Sequence, residues 1–276
     1  MSASCYPFQS SDDERQRLIE QNKLVAPLTE RLFRRAGLKA GMRVLDIGSG
    51  AGDVAFLAAR LVGPTGQVLG IDRDPAQIKF AEQRARAEGL ANVDFTVGDF
   101  QNFSLQEPVD AVVGRLVLMY AAEPLAALRH VAQNVKRGGI IALQETIYDY
   151  EAPPLIEPAD CLAAKAVAWC HAAFKHAGVQ PRLGLRLFSL MRAAGLQPSP
   201  DVDMLTPMLQ GPEGPLFETI AALVRSQIPA IVASGAATEM DIGIDTLVQR
   251  MIADAPAGGV VGYFNSGHVA VWGKKV

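Results

Sequence analysis

The stretch RVLDIGSGAGDVAFLAARL, residues 43–61, decides the fold. A short, mostly apolar run is followed by Gly48, Gly50 and Gly52 at alternate positions and then by a helical pattern. Glycine reaches left-handed backbone conformations and lets a chain approach a ligand closely. A strand, a glycine turn and a helix in that order form the opening of an α/β unit, whose first turn is the usual place for a ligand.

The alternation continues outward from this stretch. QVLGID is read as a strand and DPAQIKFAEQRARAEG as a helix, with Asp74 as N-cap, Pro75 at the first position and Gly89 just past the end. VDFTVGD, VDAVVG and IIALQET are read as strands, and PLAALRHVAQNVKRGG as the helix before the last of them. Strands alternating with helices imply a parallel sheet covered on both faces, and the strands are nearly all apolar, as such burial requires.

On the N-terminal side, Leu18, Val25, Leu28 and Leu32 share one helical face, and Pro27 is expected to separate two helices. After Thr146 the rhythm breaks. IYDYEAPPLIEP reads as a connection, ADCLAAKAVAWCHAAFKHAG and LRLFSLMRAAGL as helices, and DVDMLTPML as a strand. Residues 213–255 read as helical, interrupted at IPAIVASGAA, and HVAVW closes the chain as a strand.

The chain has 276 residues, 49% of them hydrophobic and 20% charged, with a formal net charge of −3. This composition supports a large core and argues against disorder and against nucleic acid as a partner. No uninterrupted apolar window long enough for a membrane span is visible, and the polar, acidic start is unlike a secretory segment. Cytoplasmic localisation and no membrane are therefore expected. Cys5, Cys161 and Cys170 give neither a disulfide framework nor a metal-binding spacing, so no metal is expected.

Two ligands compete for the glycine loop. A dinucleotide fingerprint needs a glycine where this chain has Asp53, and a carboxylate at a helix start repels pyrophosphate. Asp46, two residues before the first glycine, suits a cation instead. S-adenosylmethionine carries a sulfonium and an ammonium and no phosphate. Asp72 ends the second strand, where a carboxylate accepts ribose hydroxyls in either kind of site, and Asp99 ends the third, placed to accept an adenine amino group beside the Phe100 amide. Each acid alone also reads as a turn or helix-start residue; three at consecutive strand ends converge on one cleft.

At these motifs the chain resembles the class I S-adenosylmethionine-dependent methyltransferases of the small-molecule type, with a core like that of ubiquinone and sterol methyltransferases. VLDIGSGAGD is similar to their first motif, GIDRDPAQIKFAEQRARAEG to the acidic second, FTVGDFQNF to the adenine motif, and residues 109–145 to the fourth and fifth strands with their helix. The resemblance covers about residues 37–147. It implies a doubly wound, Rossmann-like, seven-stranded, mostly parallel sheet with an antiparallel last strand and helical cap insertions.

The resemblance also implies roles. Asp46, Gly48, Ser49, Gly50 and Gly52 would hold the methionine part, Asp72 the ribose with Arg73 and Ile78 beside it, and Asp99 and Phe100 the adenine. Arg115, Leu116 and Tyr120 would face the methionine end and the transferred methyl. Arg115 departs from the hydrophobic or neutral residues common at this position; it either recognises a carboxylate or leans on Asp46. GRLVLM stands where enzymes acting on nucleic acid bases or glutamine carry NPPY or DPPY. The expected reaction moves a methyl from S-adenosylmethionine to an O or N atom of a small aromatic or lipophilic metabolite, leaving S-adenosylhomocysteine. Alternatives are a C-methyltransferase, a protein that binds the cofactor without methylating and, in another class, an NAD(P)-dependent oxidoreductase, which lacks the expected Tyr-x-x-x-Lys pair.

For the acceptor side, Tyr6, Arg17, Gln21, Trp169 and Phe174 are expected to line the site, with His171 as the candidate general base. His130, His176 and His268 read as surface or structural. The expected organisation is an N-terminal helical segment over 1–36, the cofactor-binding core over 37–147, a helical substrate cap over 148–185, and the end of the core over 186–276 with a second helical insertion at about 213–255. A monomer or homodimer is expected.

Overall fold

A computed structural model describes residues 6–8, 11–263 and 267–276. Cys5 and the start of the N-terminal segment lie outside the described residues. Five parallel strands form the centre: β1 (Arg43–Ile47), β2 (Gln67–Asp72), β3 (Val93–Val97), β4 (Val109–Arg115) and β5 (Val135–Thr146). With β6 (Leu155–Glu157), β7 (Leu196–Pro198), β8 (Asp203–Leu205), β9 (Leu209–Gly211), β10 (Val260–Tyr263) and β11 (His268–Lys275), two sheets result. The large one runs β3-β2-β1-β4-β5-β11-β7, with β8 also on β11, and β11 lies antiparallel to β5. Strand order reverses between β1 and β4, which opens a crevice at their carboxyl ends.

Helices α1 (Asp12–Ala36), α2 (Asp53–Val62), α3 (Pro75–Ala87), α4 (Pro124–Gln133), α5 (Leu162–His176), α6 (Leu183–Ala193) and α7 (Leu216–Ser234) cover these sheets. The cap read from α3 is present: the Asp74 carboxylate accepts from the Ala76 amide, and Pro75 occupies the first turn. On one face of the large sheet, α4 and α6 close a core around Leu45, Val112, Leu128 and Leu143. On the other, α1 and α2 close a second core around Leu28, Leu32, Phe33 and Phe56.

Three expectations are corrected here. α1 is one continuous helix that carries Pro27 inside it. Lys23 and Pro27 are exposed, so the carbonyl freed by the missing proline amide faces water, while buried Val25, Leu28 and Leu32 hold the helix down. The helical segment at the N-terminus is thus a layer of the main core. α7 likewise runs through Pro229 and ends only at Gly235, in the left-handed region. The single strand expected at 201–209 is split: β8 joins the large sheet and β9 the small one, with Pro207, which has no amide for a ladder, between them.

The second sheet, β6-β10-β9, packs with α5 and α7 into a separate apolar cluster containing Trp169, Cys170, Phe217, Ile220 and Tyr263. This cluster adjoins the main core through the packing of α7 on α1. α7 is long and apolar enough to cross a membrane by length and composition alone, and half of that window is buried inside the molecule against α5 and α1.

Candidate active site

The loop after β1 turns through Gly48, Gly50 and Gly52, all in the left-handed region that other residues rarely adopt. A Cβ at Gly48 would collide with the Val117 side chain, and one at Gly52 would meet the Phe56 ring at 2.7 Å. The loop therefore lies tight against the segment after β4. Asp72 ties it from the neighbouring strand: its Oδ2 accepts from the Gly50 amide at 2.9 Å and its Oδ1 from the Asp74 amide at 3.0 Å. Burial raises the Asp72 pKa, and these two amides oppose the rise.

A cavity of about 610 Å³ opens over this loop. Its floor holds Gly48, Ser49, Gly50, Asp72, Arg73, Asp99, Phe100, Arg115 and Leu116. Asp99 accepts from the Gln101 amide at 2.9 Å through Oδ1. Asp53 also reaches the wall, but Arg84 pairs with it at 2.8 Å and donates to the Ala51 carbonyl, so its charge locks the start of α2. Asp46, Gly52 and Ile78 lie under the wall as its support: Asp46 is fully buried, Gly52 starts α2, and Ile78 packs inside α3.

Two buried polar atoms on the cavity wall have no partner among the described residues: Ser49 Oγ and Gln77 Oε1. Burial pushes the Asp46 pKa well above the usual carboxylate range, with Arg115 pulling the other way. Buried polar groups are normally hydrogen-bonded. An orphaned acceptor and an orphaned hydroxyl on this wall, with Asp72 and Asp99 further along, fit a ligand rich in hydroxyls and amino groups and carrying positive charge. They fit S-adenosylmethionine.

The segment after β4 is held by a residue the sequence reading passed over. The Glu145 carboxylate, at the end of β5, accepts from the Val117 and Leu118 amides at 3.1 and 2.7 Å through Oε1. It is fully buried, and burial pushes its pKa up to about 8 against those amides. This clamp fixes Leu116, which has a φ of 56°. A glutamate just past the apolar run 140–143, at the end of a strand, was the available signal.

The roof comes from distant segments. Tyr6, Phe8, Arg17, Gln21, Met119, Tyr120, Tyr148 and Leu223 line it. The Tyr6 ring lies 4.9 Å from that of Tyr120 and 5.0 Å from that of Phe8, and Arg73 stacks over it at 5.3 Å. Arg17 makes two bonds to Glu14, at 2.6 and 2.7 Å, reaches Gln21 at 3.1 Å and lies over Phe8. Its charge is thus neutralised locally. Burial opposes that charge, but Glu14 outweighs it and raises the Arg17 pKa.

The expected lining residues divide. Tyr6, Arg17 and Gln21 face the cavity; Trp169, Phe174 and His171 do not. Trp169 and Phe174 are buried because α5 spends its apolar faces on α7 and on the roof from behind: Phe174 packs against Phe8 and Tyr148. His171 stands behind Tyr148, with ring centroids 5.5 Å apart. Phe8, Met119, Tyr148 and Leu223 were not read from sequence; nothing in their local pattern separates them from core residues.

Residues 38–195 match a family model described as a methyltransferase domain. The chain is a class I S-adenosylmethionine-dependent methyltransferase. Among curated proteins, this methyltransferase is 33% identical over 113 residues to an arsenite methyltransferase of Halobacterium salinarum, covering 41% of this chain and 29% of that one. It is 32% identical over 133 residues to the aklanonic acid methyltransferase DauC of Streptomyces, covering 48% and 60%. With the ubiquinone/menaquinone biosynthesis C-methyltransferase UbiE of Pseudomonas putida it shares 32% over 131 residues, covering 45% and 51%. The chain thus spans less than two thirds of the length of each of these relatives.

Solved structures show the same fold. The YcgJ protein from Bacillus superposes with a TM-score of 0.60 at 18% identity, covering 91% of this chain and 98% of that one. A SAM-dependent methyltransferase from Aquifex aeolicus gives 0.56 at 15%, covering 97% and 100%. The methyltransferase therefore has the doubly wound sheet read from its motifs, and its family gives S-adenosylmethionine as its cofactor.

Proposed function

We propose that this enzyme methylates an O or N atom of a small, aromatic or lipophilic metabolite. The observation that carries this reading is the continuity of one cavity from the acid-rich floor to a roof of Tyr6, Phe8, Tyr120, Tyr148 and Leu223. A mostly apolar wall with a few placed polar groups suits a small apolar ligand.

Asp72 would accept the ribose hydroxyls, Asp99 and Phe100 would hold the adenine, and the glycine loop with Ser49 would hold the methionine part. Bound S-adenosylmethionine supplies an electrophilic methyl group on its sulfonium. The Glu145 clamp fixes the segment that carries Leu116 and Met119, which would pack beside the methionine end of the bound cofactor. The roof excludes water and orients the acceptor, and such positioning is worth up to ~7–11 kcal/mol of a barrier in favourable cases. Burial raises the pKa of Tyr6, Tyr120 and Tyr148, so their phenols stay protonated and serve as donors. His171 lies outside the wall, against the Tyr148 ring, and does not face the acceptor space.

A second reading, transfer to carbon, is supported by the likeness to UbiE over 45% of this chain. An acceptor such as arsenite would draw on converging thiolates; among the described residues the cysteines, Cys161 and Cys170, are both buried and neither lines the cavity. The deciding experiment is transfer of a labelled methyl to matched phenols, amines and quinols, with the product bond assigned by NMR. Label on oxygen or nitrogen supports the first reading, label only on carbon replaces it, and cofactor binding without transfer to any acceptor rejects both.

A further inference from the structure

The groups able to take a proton are unevenly placed around the cavity. Its carboxylates, Asp53, Asp72, Asp74 and Asp99, all belong to the floor or its edge. Arg84 engages Asp53, the Gly50 and Asp74 amides engage Asp72, Asp74 caps α3 through the Ala76 amide, and Asp99 holds the Gln101 amide. The roof has nothing equivalent. Its ionisable members are Arg17 and the phenols of Tyr6, Tyr120 and Tyr148. Arginine keeps its proton in proteins. Burial raises the pKa of all three phenols, so they too stay protonated at neutral pH.

The groups behind the roof are already engaged. Glu14 is fully buried and does not line the cavity; its Oε1 accepts from Tyr6 and Arg17 and its Oε2 from Arg17. His171 stands behind Tyr148, and Glu145 holds the Val117 and Leu118 amides. His268 bonds to Tyr263 at 3.1 Å and does not line the cavity. Arg115, on the floor, donates to Asn22 and Thr29 of α1, both neutral, at 2.9 and 3.2 Å, and forms no ion pair among the described residues. Residues 1–5, 9–10 and 264–266, outside the described ones, contain no histidine, lysine, aspartate or glutamate.

An acceptor space without a base restricts the reaction through its charge balance. In the transfer a bond forms from the acceptor atom to the methyl carbon, the carbon–sulfur bond breaks, and its electron pair leaves a neutral thioether. A neutral hydroxyl then becomes an oxonium and a neutral amine an ammonium, while a methylated carbon still has a proton to shed. Each needs a base or a counter-charge, because an isolated cation in an apolar site is costly. An oxygen anion ends as a neutral ether or ester, with both charges cancelled and no proton to move.

We propose that the acceptor atom is an oxygen that arrives already ionised, as the anion of an acidic phenol, an enol or a carboxylic acid, and that no residue of this chain takes a proton during the transfer. Its counter-charge on entry is the sulfonium that it attacks. The inference rests on the small aromatic or lipophilic acceptor read above and narrows it from O or N to an oxygen anion.

The test is labelled methyl transfer from S-adenosylmethionine to p-nitrophenol, p-cresol and p-toluidine, three acceptors of similar shape, with kcat/KM followed against pH. For p-nitrophenol, which ionises near neutrality, kcat/KM is expected to level off there; for p-cresol, which ionises at about 10, it is expected to keep rising about tenfold per unit through pH 9. p-Toluidine is expected to take up less than a hundredth of the label that p-nitrophenol receives at neutral pH. One pH midpoint shared by both phenols overturns the proposal and assigns a base to the chain. Labelling of p-toluidine at the rate of p-nitrophenol overturns it as well, and neither comparison needs a variant to fold. Transfer to a phenol with either of these results leaves the aromatic reading standing; label in none of the three, with S-adenosylhomocysteine still raising the melting temperature, overturns that reading and this inference together.

Discussion

The floor and the roof of the cavity are built on different principles. The floor is made at the ends of adjacent strands, by backbone and short acids: Asp72 ends β2, while Gly48, Gly50 and Asp99 follow β1 and β3, so the registry of one sheet sets their spacing. The roof is made by side chains from residues 6–8, the first turns of α1, the segment after β4, Tyr148 and α7. A floor of this kind accepts one ligand and tolerates little change. A roof assembled from separate segments can change its lining without touching the sheet, which is how one fold serves many acceptors.

Perturbing the two regions should separate cofactor binding from acceptor binding. The largest effect is expected from Asp72→Ala, which removes the ribose acceptor and the ties to the Gly50 and Asp74 amides together. Affinity for S-adenosylhomocysteine should fall at least thirtyfold, about 2 kcal/mol; calorimetry showing an unchanged Kd would refute the ribose placement. Next comes Tyr148→Ala, which opens the roof. It should raise KM for the acceptor about tenfold and leave the cofactor Kd within twofold, on the scale of losing one aromatic wall. Equal loss of both would mean that floor and roof are one unit.

Smaller effects are expected from titration. The folded Glu145 keeps its proton up to about pH 8, whereas the unfolded chain releases it near the ordinary glutamate value. The unfolded state then binds fewer protons between those values, so this group's contribution falls as pH rises through that window and is flat above it. His268 acts in the opposite sense: it stays neutral down to about pH 3, while the unfolded chain takes up a proton near the ordinary histidine value, so stability is lost as pH falls through that window. Thermal melts of Glu145→Gln should show a weaker decline between pH 5 and 8 than wild type. An identical slope in the variant would show that Glu145 is already ionised in the fold. The smallest effect is expected for His171→Asn, with kcat within threefold of wild type, because Tyr148 stands between that ring and the cavity. A hundredfold loss would restore His171 as the base.

The floor was legible in the sequence because each of its parts has a local cause. A glycine at a left-handed position, an acid at a strand end and an N-cap before a proline each leave a mark within a few residues. The same reasoning failed at Pro27 and Pro229, where tertiary burial of α1 and α7 outweighed a missing amide. It also misplaced Trp169 and Phe174. An apolar helix face does not reveal whether it meets a ligand or another helix, and here α5 meets α7.

The sequence by itself determined the doubly wound sheet, the family and with it the cofactor, and the glycine loop that lies with Asp72 and Asp99 on the cavity floor, since strand periodicity and backbone conformation are local properties. Only the tertiary structure decided what faces the acceptor and what surrounds Arg115. Asn22 and Thr29 reach that guanidinium from 93 and 86 residues away, and Leu223 reaches the cavity from α7. Contacts of that span depend on which faces pack together, and packing is settled by the whole core at once rather than by the residues next to the site.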